Sequence, residues 1–134
     1  MPSDSQSRQK LASQHLKLGW ALLSVFVILG ICLEAFHGFK VDWYLNVAVE
    51  TRRLTWRLAH AHGTFLAVVH LLFSNTLDRL SNLPRRIQWI SRGLTLSSIF
   101  IPLGFAILAA EFAWARHALR RTRSLFRRAG HQAK

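Results

Sequence analysis

The stretch LGWALLSVFVILGICLEAFHGF, residues 18–39, decides the fold. It contains no Lys, Arg or Asp, and Glu34 is its only acidic residue. Two further apolar runs follow: residues 58–77 have no formal charge, and residues 93–115 carry only Glu111. Each run has about the 20 residues that a helix needs to cross about 30 Å of hydrocarbon. The sequence therefore predicts an all-α integral membrane protein, a bundle of three transmembrane helices at about 18–39, 55–77 and 89–116.

The composition agrees with a single small membrane domain. The chain has 134 residues, 51% of them hydrophobic, yet its formal net charge is +12. The charges lie outside the apolar runs, whereas a soluble basic domain would carry them along one face of amphipathic helices. We expect a polar N-terminal tail at 1–17, a transmembrane domain at 18–116 and a basic C-terminal tail at 117–134.

The basic tail predicts contact with lipid. Leu119 and Phe126 are seven residues apart, hence on one helical face, and arginines surround them. We therefore expect residues 116–130 to form a basic interfacial helix that anionic headgroups attract. Nucleic-acid binding is disfavoured, because the tail lacks interleaved aromatic residues and follows directly from a membrane helix.

The distribution of basic residues predicts the orientation. With three crossings, the C-terminal tail lies on the same side as the segment before the second helix, which holds Lys40, Arg52 and Arg53. Together they carry more Lys and Arg than the N-terminal tail and the 78–92 loop, so the positive-inside rule favours a cytoplasmic C-terminus. A cleaved signal peptide is disfavoured, because the first apolar run is long for one and no small-x-small site follows it.

Five ionisable residues are expected at one depth in the membrane. Such side chains are costly in hydrocarbon when unpaired, and they commonly mark a functional site. Consecutive helices are antiparallel, so the end of the first, the start of the second and the end of the third share one side. Counting at about 1.5 Å per residue from the ends of the runs places all five in one layer. They are Glu34, His37, His60, His62 and Glu111.

Stripes of small residues predict which way these groups face, because small residues mark the close approach of membrane helices. At about 100° per residue, each helix has one such stripe. The two carboxylates belong to them and should face the bundle interior. His60 and His62 flank the stripe of the second helix, so that one should face the first helix and the other the third. The stripes are Gly19, Gly30, Glu34 and Gly38; Ala59, Gly63, Ala67 and His70; and Gly93, Ser97, Gly104 and Glu111.

This residue set predicts a metal centre. Two carboxylates with two or three imidazoles are ligands of zinc or of non-haem iron or manganese. Glu34 and His37 are about 60° apart on one helix, so both can reach a common centre. We predict that they bind a divalent metal together with His60 or His62 and Glu111. Haem is the second option, with His37, His60 or His70 as axial ligands.

Other interpretations of the polar residues remain open. Without a metal, the same groups would hydrogen-bond or form ion pairs across helices, with Arg57 and Arg116 nearby, and proton or ion handling is a third interpretation. His70 lies about 12 Å deeper than His62 along the same helix. We expect it to be a packed polar residue or a step in a proton path. His15 and His131 are assigned to the tails and given no role.

One part of the sequence is similar to a known group. The segments LEAFHGF, AHAHGT and IPLGF resemble small uncharacterised bacterial membrane proteins in which a Glu-x-x-His helix precedes an AHAHGT helix. The resemblance covers residues 33–77, with a further match at 101–105. It implies a bacterial inner-membrane location and no particular activity.

Two functions follow from these observations. The first is a small membrane protein that binds a metal ion or metal cofactor near one interface. The alternative is a non-enzymatic structural or accessory subunit, in a homo-oligomer or a larger membrane complex, in which the Glu/His layer is an interhelical polar network. No nucleophile with a base and no phosphate-binding loop indicates an enzyme.

Overall fold

The computed structural model describes residues 4–41, 44, 50–80 and 86–132, with side chains placed from Ser5 to Glu111 within those ranges. Every element of regular secondary structure in those ranges is an α-helix. Helix α1 runs Asp4–Gly38, α2 runs Glu50–Arg79 and α3 runs Arg86–Gln132. The prediction of an all-helical fold is thus confirmed, with three helices centred on the three apolar runs.

The central helix is α2, which packs against both α1 and α3. Its buried residues recur every three or four positions, as one face of a helix requires. Most of them are small, which lets the neighbouring backbones approach closely. The buried seam consists of Arg52, Thr55, Ala59, Gly63, Ala67, His70, Ser74 and Leu77. The small-residue stripe expected on this helix is therefore confirmed.

Close packing between α1 and α2 depends on glycine at two positions. A Cβ atom on Gly63 would lie 2.3 Å from the ring of Phe26, and a Cβ atom on Gly30 would lie 2.5 Å from the imidazole of His60. Neither distance is compatible with van der Waals packing. Glycine at these two positions thus allows one ring from each helix to reach the backbone of the other.

The first helix begins earlier than the apolar run. The N-terminal tail expected at 1–17 is helical from Asp4 onward and continuous with α1. Within it, Ala12 and His15 are buried, 3% and 2% exposed, and they continue the three-and-four spacing to the buried Gly19. Ala12 packs in a small apolar cluster with Leu77 of α2 and Ile87 of α3. The polar composition of this segment reflects its outer face, because the inner face carries small and apolar residues.

The end of α1 is closed by a left-handed residue. Lys40 has φ 51°, and the Val41 N–H donates to the Phe36 carbonyl at 3.1 Å. This is the hydrogen bond of a Schellman cap, which satisfies a carbonyl of the last helical turn. Gly38 is the last residue of α1, as expected from the sequence.

Two of the three helices are long and apolar enough to cross a membrane. They are α1, over Ser5–Gly38, and the part of α3 over Arg86–Glu111. Helix α2 is less apolar, because its histidines and the Ser-Asn-Thr sequence near its end interrupt the run. A spanning role for α2 is therefore a proposal.

Helix α3 continues well past its apolar part. It contains Pro102 and extends without interruption to Gln132. The segment expected as a basic tail, which begins at residue 117, is therefore helical as far as Gln132. The side chains beyond Glu111 lie outside the described part of the chain. The predicted contact of this segment with the membrane surface stays a prediction.

Candidate functional site

The acidic residues of the predicted layer lie on the outside of the bundle. Glu34, His37 and Glu111 are all exposed. On α3 the buried residues are Ser91, Ser98 and Ala109, among others, and Glu111 is about 200° from Ala109 around the helix. The expectation that the carboxylates face the interior is therefore wrong for both Glu34 and Glu111.

The small-residue stripe of α3 failed as a guide for a physical reason. Gly93 and Gly104 are exposed, and a Cβ atom on either would meet nothing within 4 Å. The inward face is instead set by Ser91 and Ser98, whose hydroxyl groups hydrogen-bond to buried histidines. The buried face of α3 thus includes two serines that hydrogen-bond to other helices, whereas Gly93 and Gly104 lie on the exposed face.

His60 and His62 face different helices, as the sequence predicted. The His60 Nδ1 donates to the Phe26 carbonyl of α1 at 2.7 Å. The His62 Nδ1 donates to the Leu58 carbonyl of its own helix at 2.9 Å, and its ring packs on Phe105 of α3 with the centroids 4.9 Å apart.

The predicted common depth does not hold for His60. Its ring lies against Gly30 and Phe26, one to two helical turns along α1 from Glu34. The error came from counting depth from Arg57 as the membrane boundary, whereas α2 begins at Glu50 and passes Arg57 without a break.

The metal-ligand set is not assembled within one chain. Among the described residues, no group of three or more His, Cys, Asp and Glu side chains is placed to bind a metal ion. Glu34 and His37 lie outside the bundle at the end of α1, Glu111 lies on the outer face of α3, and His60 and His62 point in opposite directions. The metal hypothesis therefore stays a prediction without support from the packing.

Glu34 lies instead in a group of charged and aromatic residues at the end of the bundle. Tyr44 is 3% exposed, and its ring contacts Phe36 at a centroid distance of 6.1 Å. Burial raises the pKa of the Tyr44 hydroxyl, Arg57 and Arg53 act in the opposite direction, and Glu34 adds to the increase. Glu34 is thus within electrostatic range of Tyr44, the residue that Arg57 also influences.

The most deeply buried polar group is a different one, which we call the histidine cluster: His15, His70, Ser91 and Ser98. Each helix contributes to it, and all four residues are less than 9% exposed. The His15 and His70 rings meet through their edges, with centroids 4.8 Å apart, an angle of 24° between the ring planes and Nδ1 atoms 2.6 Å apart. The His15 Nε2 lies 2.7 Å from the Ser91 Oγ, and the His70 Nε2 lies 3.2 Å from the Ser98 Oγ.

The histidine cluster also defines the surroundings of His70. Both of its ring nitrogens make hydrogen bonds, one to His15 and one to Ser98. A haem iron would need one of these nitrogens, and the ring is fully enclosed at 0% exposed. The structure therefore favours the packed polar residue that the sequence also predicted over the axial ligand.

Sequence reasoning missed His15 because it assigned the residue to a tail. A usable signal was present in the spacing of Ala12, His15 and Gly19, which places all three on one face of a helix. His15 also lies at the level of His70 once α1 and α2 are taken as antiparallel, since Gly19 packs on Leu71. The unbroken helix from Asp4 is what makes this pairing possible.

Comparison with protein-family models, with curated proteins and with solved structures finds no match to this chain.

Proposed function

We propose that the protein is a non-enzymatic subunit of a bacterial inner-membrane assembly, with three membrane-spanning helices joined by the histidine cluster. One contrast supports this most strongly. Bulky apolar side chains such as Trp20, Ile28, Phe65 and Phe100 are about 60% exposed or more, whereas most of the buried residues are small or polar. This inside-out arrangement suits helices surrounded by lipid or by other membrane helices.

The exposure of the apolar segments supports a membrane location. Only 11% of the most apolar window of α1 and 17% of that of α3 is buried inside the protein. A core helix of a soluble protein would bury most of such a window. Helix α2 lies between α1 and α3, so a membrane that contains both of them would contain α2 as well, with His70 enclosed by its partners.

Exposed ionisable groups support a larger assembly. Glu34, His37 and Glu111 lie near the ends of apolar stretches and are exposed in the single chain. Ionisable groups at membrane depth are costly unless another protein group or the headgroup region covers them. A second chain, of this or another protein, would cover them, and the headgroup region is the other outcome to be tested.

The basic residues after residue 115 support the orientation with a cytoplasmic C-terminus. The sequence places Arg116, Arg120 and Arg121 at the point where α3 would leave the hydrocarbon. Each basic residue near an anionic surface is attracted by about 1 kcal/mol. Anionic headgroups are therefore the lipid partner that we propose for this end of α3.

Metal binding at the Glu/His layer is the second candidate. One observation favours it: Glu34 and His37 come from one helix and are both exposed, so an ion could reach them from outside the chain. Zinc, iron or manganese would fit this donor set if a neighbouring chain supplied further ligands. Elemental analysis of the purified assembly checks this, and a stoichiometric metal that is lost in Glu34→Gln and His37→Gln would favour this candidate.

The membrane location is tested with Cys32, an exposed thiol on α1 and the only cysteine of the chain. We expect a membrane-impermeant maleimide to leave Cys32 unlabelled in intact vesicles and to label it after denaturation. The control is Ser5→Cys in a Cys32→Ser background, which should react in vesicles of one orientation. Labelling of Cys32 in intact vesicles of both orientations would contradict the proposal.

The assembly is tested by native mass spectrometry of the protein ejected from its own membranes. A particle larger than the 15.3 kDa chain is expected, whether it contains several copies or a second protein. A larger particle with bound metal would favour the second candidate, and a lone chain would contradict both.

A further inference from the structure

The donor and the acceptor of each hydrogen bond in the histidine cluster can be assigned, beginning with the Thr95 carbonyl group, which accepts. The Ser98 Oγ lies 2.8 Å from the Thr95 carbonyl oxygen. A carbonyl oxygen can only accept, so the single hydroxyl hydrogen of Ser98 is donated to it. The Ser98 Oγ must therefore accept at its other contact, the one with the His70 Nε2.

This direction determines both tautomers. The His70 Nε2 carries a hydrogen, so in the neutral ring its Nδ1 is an acceptor. The His15 Nδ1, 2.6 Å away, must then carry the hydrogen of their bond, which leaves the His15 Nε2 as an acceptor. The Ser91 hydroxyl donates to that nitrogen at 2.7 Å. With both rings neutral, every polar ring atom has a partner of the right kind.

The same geometry limits how many protons the pair can bind. A proton added at the His15 Nε2 needs only a rotation of the Ser91 hydroxyl, which then accepts from the nitrogen. The bond between the rings becomes charge-assisted and survives. A second proton would have to occupy the His70 Nδ1, and two N–H groups would then face each other across 2.6 Å. The pair has room for one added proton and not for two.

The surroundings supply no competing acid or base. Helix α1 contributes His15, α2 contributes His70, and α3 contributes the hydroxyl groups of Ser91 and Ser98. His70 is the only ionisable group that acts electrostatically on His15 in the described part of the chain. The charged residues closest in sequence to the cluster are exposed: Lys17 on α1, Asp78 on α2 and Arg92 on α3. A proton bound here would be held by the two imidazoles alone.

We propose that His15 and His70 form a binding site for one proton, shared between the rings and enclosed by all three helices. The ligand is a proton because the rings are in contact and no space for a larger species separates them. Binding leaves the hydrogen-bonded contact between α1 and α2 in place and reorients only the Ser91 hydroxyl.

The test is nitrogen NMR of the full-length protein in nanodiscs, with ¹⁵N-labelled histidine and with signals assigned by loss in His15→Gln and His70→Gln. At alkaline pH we expect His15 to be protonated at Nδ1 only, the minor tautomer of free imidazole, and His70 at Nε2 only. On acidification both rings should change at one common midpoint, with uptake of one proton per His15–His70 pair.

Two serine variants keep the proposal falsifiable if the histidine variants fail to fold. Ser98→Ala removes the hydroxyl acceptor of the His70 Nε2–H and leaves the Leu94 backbone as a remaining hydrogen-bond partner of His70, so the population of the Nε2–H tautomer should fall. Ser97→Ala, at the neighbouring and only partly buried position, should leave it unchanged. The proposal is overturned if both rings are Nε2–H tautomers at alkaline pH. It is equally overturned if the pair takes up no proton before unfolding, or takes up two with the helices still packed.

Discussion

The two ends of the bundle differ in how they treat ionisable residues. At the packed end, which includes the histidine cluster and the apolar group of Ala12, Leu77 and Ile87, the polar atoms are enclosed and paired. At the open end, Glu34, His37 and Glu111 are exposed, although Tyr44 and Arg52 are buried there. The two regions are about 30 Å apart along α1 at 1.5 Å per residue. A motif that is conspicuous in the sequence therefore need not be buried or hydrogen-bonded in the structure. The Glu-x-x-His motif lies at the open end, whereas the buried histidines come from less conspicuous positions.

The largest expected effect comes from removing the centre of the packed end. His70→Ala removes one hydrogen-bond partner of His15 and one of Ser98 and opens a cavity, and we expect a loss of about 3–5 kcal/mol of folding free energy. His37→Ala at the open end should change it by less than about 0.5 kcal/mol. Reversible unfolding in mixed micelles measures both. Equal effects would remove the distinction between the two ends.

The next largest loss of stability is expected from a steric clash in the middle of the bundle, between the packed end and the open end. Gly63→Ala places a Cβ atom against the ring of Phe26 and should cost about 1–3 kcal/mol. Gly104→Ala, which meets nothing within 4 Å, should be neutral or slightly stabilising, because alanine favours the helix. Phe26→Leu should recover part of the loss in the double variant. The same unfolding assay applies, and a loss in Gly104→Ala as large as in Gly63→Ala would show that this face of α3 is also packed, by another chain.

A smaller effect is expected from one hydrogen bond at the packed end. The Ser74 hydroxyl donates to the Ala12 carbonyl at 2.8 Å and so joins α2 to the part of α1 that precedes its apolar run. Ser74→Ala should cost about 1 kcal/mol. The matched control is Thr76→Ala, whose hydroxyl donates within α2 to Leu72. Hydrogen exchange should show faster opening of residues 5–15 only in Ser74→Ala, and unchanged exchange there would mean that this contact is not formed in the membrane.

The smallest effect on the isolated chain is expected at the outermost carboxylate. Glu111→Gln should change the folding free energy of the single chain by less than about 0.5 kcal/mol. Its effect should be on assembly instead, as a change in the particle size measured by native mass spectrometry. A large loss of stability in the single chain, with assembly unchanged, would mean that Glu111 has an intramolecular partner.

The three helices and the buried seam of α2 could be predicted from the sequence, because both depend on local features. Apolar runs indicate helices, and small residues that recur every three or four positions indicate a packed face. The stripe of Ala59, Gly63, Ala67 and His70 could be read directly from periodicity. The opposite directions of His60 and His62 also followed, because their angular separation on a helix is fixed.

The candidate site could not be predicted in the same way. The choice of face on α3 depends on which polar atoms find partners on other helices, and that information is spread over Ser91, His15 and His70 in three separate segments. Depth counting failed for His60 because charge marks the end of an apolar run but not the end of a helix. The histidine cluster could not be predicted because His15 lies in the first part of α1, and the polar composition of that part favoured a tail over a helix.

The length of α3 has a mechanical consequence. Its 47 residues extend about 70 Å at 1.5 Å per residue, more than twice the thickness of about 30 Å for the hydrocarbon core. No glycine or proline lies between Phe112 and Ala129, so nothing in that stretch favours a bend toward the membrane plane. If headgroups do not hold it to the membrane surface, the part beyond Ala115 would extend about 25 Å outward as a stiff rod. Whatever is attached to its tip would be held at a set distance from the lipid, and a tilt of α3 inside the bilayer would move that tip as the far arm of a lever.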